Sequence, residues 1–191
     1  MTSTTKLHHI LAALLASSAL AFAAIGCGPA QEGAKEPSSE GGAAAALVGK
    51  PAPDFAAESV SGEGPTSLKD AKGTVVILDF WATFCGPCKK SFPKYQALVE
   101  QFGGEVNVLA VSVDEPDSVG KEQIEEFAKA TGVKFAVVWD KDQTAVKLYS
   151  PPTMPTSFII DKDGVVRHVH AGYKDGEEDV IAEEVKKLLG K

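Results

Sequence analysis

Hydrophobic runs alternate with amphipathic stretches from residue 49 onward. The runs at 75–80 and 106–113 contain few polar residues, which predicts two central strands buried on both faces. Between them, hydrophobic residues recur every three or four positions over 88–102, and this spacing predicts a helix with one apolar face. A strand, a helix and a strand in this order predict a crossover between parallel strands.

The same alternation continues to the end of the chain. Asp161 and Gly164 bound a turn typical of a hairpin between strands at 157–160 and 165–169. The other predicted elements are a helix at 121–130, a strand at 135–139, a short helix at 143–149 and a last helix at 177–189. We therefore predict an α/β fold with a central mixed β-sheet flanked by helices on both faces.

The beginning of the chain has the layout of a signal peptide. Lys6 precedes an uncharged hydrophobic run at 10–25, which is shorter than the roughly 20 residues of a transmembrane helix. The segment 24–27, Ala-Ile-Gly-Cys, resembles the lipobox of bacterial lipoproteins, and the resemblance implies cleavage before Cys27 and lipidation of its thiol. An ordinary secretory signal that happens to be cleaved near a cysteine is the alternative.

Composition divides the chain into three predicted parts. Residues 1–26 are the lipoprotein signal peptide. Residues 27–47, which are rich in Ala, Gly, Glu, Ser and Pro, comprise the lipidated Cys27 and a flexible tether. Residues 48–191 carry the periodic pattern and form the folded domain.

Charge and cysteine content exclude several classes of protein. Hydrophobic residues make up 44% and charged residues 24%, which is typical of a globular protein and excludes wholesale disorder. The net charge of -7 repels phosphate backbones, so we expect no nucleic-acid partner. The three cysteines are too few for a disulfide scaffold, so the role of each must be found separately.

The candidate chemistry lies in Cys85-Gly86-Pro87-Cys88, between a predicted strand and a predicted helix. The amides and dipole at a helix N-terminus favour the thiolate form of Cys85, and a thiolate is the nucleophile of disulfide exchange. Cys88, one turn later, is placed to attack a mixed disulfide on Cys85. Pro87 has no amide hydrogen to leave unpaired, and Gly86 leaves room for a partner.

Three further roles are possible for the cysteine pair. A structural zinc site needs two more ligands, and the histidines after the signal are His168 and His170. The cysteines could form a permanent structural disulfide in an oxidising compartment, or they could be ordinary core residues. His168 and His170 alternate along a predicted strand, and we interpret them as a solvated strand face rather than a metal pair.

Asp79 interrupts the hydrophobic run at 75–80. A carboxyl group in a buried strand is desolvated, which raises its pKa and destabilises the fold if the group stays ionised without a partner. Such a position points to a functional group. The alternative is an aspartate turned to solvent at the end of the strand.

The segment 81–88, Trp-Ala-Thr-Phe-Cys-Gly-Pro-Cys, resembles the active site of TlpA/ResA-type thiol-disulfide oxidoreductases of the thioredoxin fold. The resemblance extends over about 49–191 and includes the segments 49–55, 67–73 and 154–161, and Pro93 in the helix after Cys88. It implies a thioredoxin-like fold and an enzyme that exchanges disulfides.

The resemblance also assigns roles to single residues. It implies that Pro155 is cis, that Met154 and Thr156 bind substrate, and that Trp81 supports the site together with Gly86, Pro87 and Pro155. It implies further that Asp79 takes the proton of Cys88. The chain departs from the family where Ser91 replaces a glutamate of some relatives, and where Ala110 aligns with a lysine of thioredoxins.

From these observations we expect an extracytoplasmic thiol-disulfide oxidoreductase, anchored on the periplasmic side of a membrane, that reduces protein disulfides. The Gly-Pro dipeptide resembles that of reducing thioredoxins, whose potential is about -270 mV. The expected partners are protein thiols and a transmembrane electron donor. We expect a monomer, no metal and no cofactor beyond the Cys85–Cys88 disulfide. Relatives of this type often serve cytochrome c biogenesis.

Two other functions compete with this expectation. A copper-binding metallochaperone of the same fold could use Cys85, Cys88 and Met154 or His168 as soft ligands. A thiol peroxidase is the second, although the family pattern places a threonine three residues before the reactive cysteine, where this chain has Ala82.

Overall fold

Within residues 42–191, which a computed structural model describes, six strands form one mixed sheet. The predictions about the signal peptide, Cys27 and the tether up to residue 41 lie outside the described residues. The sheet has the order β1-β4-β3-β2-β5-β6. The strands are β1 (Glu58–Ser61), β2 (Val75–Trp81), β3 (Val106–Ser112), β4 (Ala136–Trp139), β5 (Thr156–Ile160) and β6 (Val166–Ala171).

The centre of the sheet is parallel and almost entirely buried. β2 pairs in parallel with β3, and β3 pairs in parallel with β4, whereas β1, β5 and β6 join antiparallel. Every residue of β2 and β4 is buried, because helices cover both faces of the sheet. This arrangement confirms the predicted α/β fold and the predicted crossover between β2 and β3.

The helices divide between the two faces. The hydrophobic cluster that contains Cys88, Trp81 and Ile77 also contains residues of α2 (Gly86–Phe102), α3 (Lys121–Thr131) and α5 (Glu177–Leu189). The cluster on the opposite face contains Phe80 and Leu78 with residues of α1 (Gly42–Ala45) and α4 (Thr144–Tyr149). Because successive residues of a strand face opposite ways, Asp79 of β2 lies on the face that α2 and α5 cover.

Two elements differ from the predictions. β1 has only four residues and is polar, so no hydrophobic run marked it in the sequence. The helical turn α1 lies within the segment that we assigned to the tether: Ala44 is fully buried, and the Gly49 amide donates to the Val166 carbonyl of β6. None of the helices over 42–191 combines the length and hydrophobicity required to cross a membrane.

Candidate active site

Cys85 and Cys88 form a disulfide where β2 leads into α2. Cys85 is the N-cap residue of α2, and its sulfur accepts a hydrogen bond from the Cys88 amide at 3.1 Å. Cys85 retains 5% exposure whereas Cys88 has none. A disulfide or thiol of another molecule can therefore reach only Cys85.

The first turn of α2 favours negative charge on Cys85. The turn contains no acidic residue, and the helix of 17 residues directs its free amides and the positive end of its dipole at the cap. Gly86 and Pro87 occupy this turn and are exposed, and the space beside the Gly86 Cα is open. The sulfur that can be reached is thus also the one whose thiolate the helix stabilises.

Asp79 is fully buried and has one hydrogen-bond partner among the described residues. Its Oδ1 accepts from the Ser157 hydroxyl at 2.6 Å, and Ser157 in turn lies 2.7 Å from the Tyr95 hydroxyl. Burial raises the pKa of Asp79 to about 8; the Ser157 bond opposes this rise and the charge of Glu177 adds to it. The carboxyl group is therefore able to hold a proton at neutral pH.

The sheet register places Asp79 in a row of side chains on one face. Ala110 of β3 lies beside it on one side, Ser157 of β5 lies on the other, and His170 of β6 follows Ser157. The β3 side of Asp79 is therefore apolar, because Ala110 is its neighbour there.

Trp81 lies at the end of β2, in the hydrophobic cluster that contains Cys85 and Cys88. Its ring is fully buried and packs against Phe92 and Phe127, with ring centroids 5.0 Å and 4.5 Å away. Its Nε1 is buried without a hydrogen-bond partner in the described part of the chain. Trp81 thus contributes apolar surface beside the cysteines, and its supporting role stays a prediction.

Asp114 anchors the loop before Cys85, and sequence reasoning did not identify it as part of the site. It is 1% exposed and accepts from the Thr83 amide, the Thr83 hydroxyl at 2.7 Å and the Ser112 hydroxyl at 2.8 Å. The thiol peroxidase alternative depends on a threonine beside the reactive cysteine, and here the Thr83 hydroxyl proton goes to Asp114. An acidic residue directly after the buried strand β3 was the available signal.

The segment at 154–156 begins β5. The Met154–Pro155 peptide bond is cis, as the resemblance implied, and Met154 packs against the hydrophobic clusters of both faces. Thr156, to which the resemblance also assigns substrate binding, lies at the start of β5, and that role stays a prediction. It is fully buried inside the sheet, and its hydroxyl donates to the Thr153 carbonyl at 2.7 Å.

Phe84 is a second feature that the sequence analysis missed. Its side chain is 80% exposed, although it immediately precedes Cys85. It lines a shallow depression with Val113 and Val119. Phe84 follows Thr83, which Asp114 holds, and its exposure is unusual because large apolar side chains are mostly buried.

The two histidines correct another prediction. His170 is largely buried and lies between Glu184 and Glu177 of α5, at 2.7 Å and 3.3 Å. His168 contacts Glu184 at 3.2 Å and lies level with Ile77, well before the end of β2 where the cysteines are. The interpretation as a solvated strand face was wrong for His170, because α5 packs over it, whereas the His168 side chain keeps 40% exposure. His168 therefore does not lie beside Cys85, where the copper-binding alternative used it as a ligand.

Comparisons with known proteins agree with this geometry. The AhpC/TSA family profile matches residues 48–169. The chain is 36% identical over 143 residues to the thiol-disulfide oxidoreductase ResA of Bacillus thuringiensis (strain Al Hakam), covering 74% of each protein. It is 35% identical over 124 residues to the thioredoxin-like protein YneN of Bacillus subtilis (strain 168), covering 65% of this chain and 71% of YneN.

A solved structure matches the fold as well. The thiol:disulfide interchange protein DsbE from Chlorobium tepidum has a TM-score of 0.65 and 32% identity, and the match covers 73% of this chain and 96% of that one. The family profile, the relatives and the fold thus agree with the cysteine pair at the start of α2. The chain therefore belongs to the AhpC/TSA family and is a thiol-disulfide oxidoreductase of the thioredoxin fold.

Proposed function

We propose that the protein reduces disulfides of other proteins outside the cytoplasm, where a lipid on Cys27 anchors it to the periplasmic side of a membrane. One observation carries the proposal: an accessible sulfur, Cys85, caps a helix, whereas its partner Cys88 is buried on the sheet face that holds Asp79. This arrangement separates the group that meets the substrate from the groups that complete the reaction.

In the first step, the Cys85 thiolate of the reduced protein attacks one sulfur of a substrate disulfide. The new bond joins Cys85 to that sulfur, the substrate disulfide breaks, and the second substrate sulfur leaves as a thiolate that takes a proton from water. The hydrogen bond from the Cys88 amide and the first turn of α2 stabilise the attacking thiolate.

In the second step, the Cys88 thiol gives its proton to the Asp79 carboxylate, and the Cys88 sulfur attacks Cys85. The bond between Cys85 and the substrate breaks, the substrate leaves with both sulfurs reduced, and the enzyme keeps two fewer electrons as the Cys85–Cys88 disulfide. A pKa of about 8 for Asp79 is close to the ordinary value of about 8.5 for a cysteine thiol, so the proton transfer is nearly balanced.

The surface around Cys85 suits an extended protein segment. Phe84 offers exposed apolar area on one side. Gly86 and Pro87 line a shallow depression with Lys90 on the other side. The backbone of Met154, beside the cis proline, is the group that we propose pairs with the substrate chain.

The reducing direction requires a source of electrons. We propose a transmembrane partner with its own dithiol, which reduces the Cys85–Cys88 disulfide by the reverse exchange. No cofactor other than this disulfide is needed, because disulfide exchange transfers both electrons between sulfur atoms.

A redox titration of the full chain in detergent tests the direction. Glutathione or dithiothreitol buffers set the potential, and mass spectrometry after thiol trapping reports the fraction of disulfide. We expect one two-electron transition near or below about -270 mV, the value of thioredoxin. A transition near about -120 mV, the value of the oxidant DsbA, would reverse the proposed direction.

Trapping of a mixed disulfide tests the assignment of the two cysteines. The Cys88→Ser variant should accumulate a covalent adduct with a peptide that carries an oxidised Cys-x-x-Cys-His segment, the haem-attachment sequence of cytochrome c precursors. The Cys85→Ser variant is the matched control and should form none. Adducts in equal amount with both variants would refute the division of roles.

The anchor is tested separately. The Cys27→Ser variant should leave the membrane fraction, and the mass of the mature wild-type N-terminus should exceed that of the bare peptide by the acyl chains. Recovery of unmodified Cys27 in the mature protein would instead indicate an ordinary secretory signal.

A further inference from the structure

Three titratable side chains between β6 and α5 form a cluster that the reaction described above does not use. His170 lies between two carboxylates, with Nε2 2.7 Å from Glu184 and Nδ1 3.3 Å from Glu177. The three side chains are 14–15% exposed. Burial disfavours the charged imidazole, but the bonds and charges of Glu184 and Glu177 outweigh it and raise the pKa of His170.

This cluster lies beside the buried carboxyl group of the site. Asp79, Ser157 and His170 are direct partners in the register of β2, β5 and β6, so their side chains follow one another on one face. Neighbouring strands are about 4.8 Å apart, which places His170 roughly 10 Å from Asp79. The Ser157 hydroxyl, which donates to Asp79, occupies the position between them.

Glu177 connects the cluster to the site electrostatically. Its Oε2 accepts from the Lys174 amide at 3.0 Å, which fixes the carboxylate at the start of α5. From there its negative charge raises the pKa of Asp79. It also raises the pKa of Tyr95, although burial and the charge of Asp79 raise that pKa more. A carboxylate in this position resists the return of Asp79 to its ionised form.

Each element packed around Asp79 contributes a side chain to its surroundings. β3 contributes the apolar Ala110, β5 contributes Ser157, α2 contributes Tyr95 and Cys88, and α5 contributes Glu177. At the rim, Lys94 pairs with Glu178 at 2.8 Å and Tyr173 lies within 3.5 Å of Glu178. Within the described chain, His170 is thus the side chain that can bring a positive charge into direct contact with Glu177.

We propose that His170 is a positioning residue for disulfide exchange: it stays protonated through neutral pH and offsets the charge of Glu177, so that Asp79 can release its proton between turnovers. The role rests on the proposed function, in which Asp79 receives a proton from Cys88 in each cycle. That proton must leave before the next cycle, because only the carboxylate can accept another.

The expected size of the effect follows from the separation. One charge at about 10 Å, with an effective dielectric constant of about 20, changes the acid dissociation constant of Asp79 by roughly tenfold. His168 provides the matched control. It belongs to the same strand and also contacts Glu184, but its side chain is 40% exposed against 14% for His170 and it lies further from Asp79, so solvent screens its effect on Asp79.

Carbon NMR of the Asp79 carboxyl group in the oxidised full chain tests the proposal without any turnover. His170→Gln should raise the pKa of Asp79 and make it an acid about tenfold weaker, whereas His170→Arg, which keeps the charge, should restore the wild-type value. Glu177→Gln should shift the titration in the opposite direction, and His168→Gln should leave it unchanged. Because the disulfide stays closed, these results do not depend on whether the protein reduces other proteins.

The wild-type protein alone provides a second test, which remains if His170→Gln fails to fold. Nitrogen NMR should show a protonated His170 at pH 7, and the Asp79 resonance should respond at the pH where His170 loses its proton. A neutral His170 at pH 7 would overturn the proposal. So would equal shifts from His170→Gln and His168→Gln, or no shift from His170→Gln.

Discussion

Asp79 and Asp114 are both buried toward the end of the sheet that carries the cysteines, and their surroundings are opposite. Asp114, directly after β3, accepts from the Thr83 amide and from the hydroxyls of Thr83 and Ser112. Asp79, within β2, accepts from Ser157 alone, and its Oδ2 has no partner among the described residues. Both side chains have 1% exposure or less.

The difference separates a structural carboxylate from a chemical one. Several hydrogen bonds to the ionised form offset the desolvation of a buried carboxylate, and Asp114 has them. Asp79 does not, so burial raises its pKa to about 8 and leaves an oxygen free to take a proton. A proton on Oδ2 leaves the Ser157 bond to Oδ1 intact, so Asp79 can change its protonation state without rearrangement.

The largest expected effect is on the second chemical step. Asp79→Asn should slow the attack of Cys88 on the mixed disulfide by about a thousandfold, within the range of general acid–base catalysis, because no carboxylate remains to take the thiol proton. Rapid acid quenching and mass spectrometry of the mixed disulfide measure the rate. Above pH 9 the deficit should shrink, since hydroxide then removes the proton.

Asp114→Asn is the matched control for this rate. It retains one acceptor oxygen for Thr83 and leaves Asp79 in place, so the second step should slow by less than about tenfold, below the 10²-fold minimum of general acid–base catalysis. Equal slowing by the two variants would contradict the assignment of proton transfer to Asp79 and would indicate a shared structural role.

The next effect concerns the free energy of unfolding, and here we expect the Asp114 variant to lose more than the Asp79 variant. Asp114→Ala leaves the Thr83 amide and two hydroxyls without their acceptor, and the free energy of unfolding should fall by about 3 kcal/mol. Asp79→Ala removes a buried acid with a single hydrogen bond, and Ser157 can then donate to Tyr95 instead. Urea unfolding at pH 7 should therefore show no comparable loss for Asp79→Ala.

The sequence predicted the elements that local pattern determines. The uninterrupted run of β2 and the spacing within α2 identified the central strand and the helix that follows it, and Asp79 stood out because it interrupts an apolar run. α5 was predicted with its observed bounds, Glu177–Leu189. In each case, neighbours within a few positions carry the signal.

The surroundings of Asp79 could not be predicted in this way. Ser157 lies 78 positions from Asp79 in the sequence, and Tyr95 lies 62 positions from Ser157. Their contacts depend on the register of β5 and on how α2 packs over it. The burial of His170 likewise depends on the position of α5 over β6, which the periodicity of α5 does not specify.

A third prediction uses pH to distinguish Asp79 from the other acids. Its pKa is about 8 in the folded state and about 4 in the unfolded chain, so the folded state holds the extra proton between these values. Stability should therefore fall as pH rises through this window, by up to about 1.4 kcal/mol per pH unit. Chemical unfolding of the wild type and of Asp79→Asn across pH 5 to 8 measures this contribution as the difference between them.

The comparison of wild type with Asp79→Asn is needed because His170 also contributes to the pH dependence of stability. Its raised pKa also stabilises the fold at low pH and loses its effect as pH rises, so the wild-type slope alone combines two groups of the same sign. Asp79→Asn removes one of them. If the two proteins lose stability in parallel across the window, Asp79 is ionised in the folded state and the contrast with Asp114 fails.

The smallest expected effect compares the serines that bond to the two aspartates. Ser157→Ala removes the bond that lowers the pKa of Asp79, so this pKa should rise above its wild-type value, at a loss of about 1 kcal/mol in stability. Ser112→Ala also removes one donor, but Asp114 keeps its bonds from Thr83. Double-mutant cycles with Asp79→Asn and Asp114→Asn measure the coupling within each pair. We expect strong, pH-dependent coupling between Ser157 and Asp79, because this hydrogen bond favours the ionised form of Asp79, and weaker coupling between Ser112 and Asp114, because Asp114 keeps its bonds from Thr83.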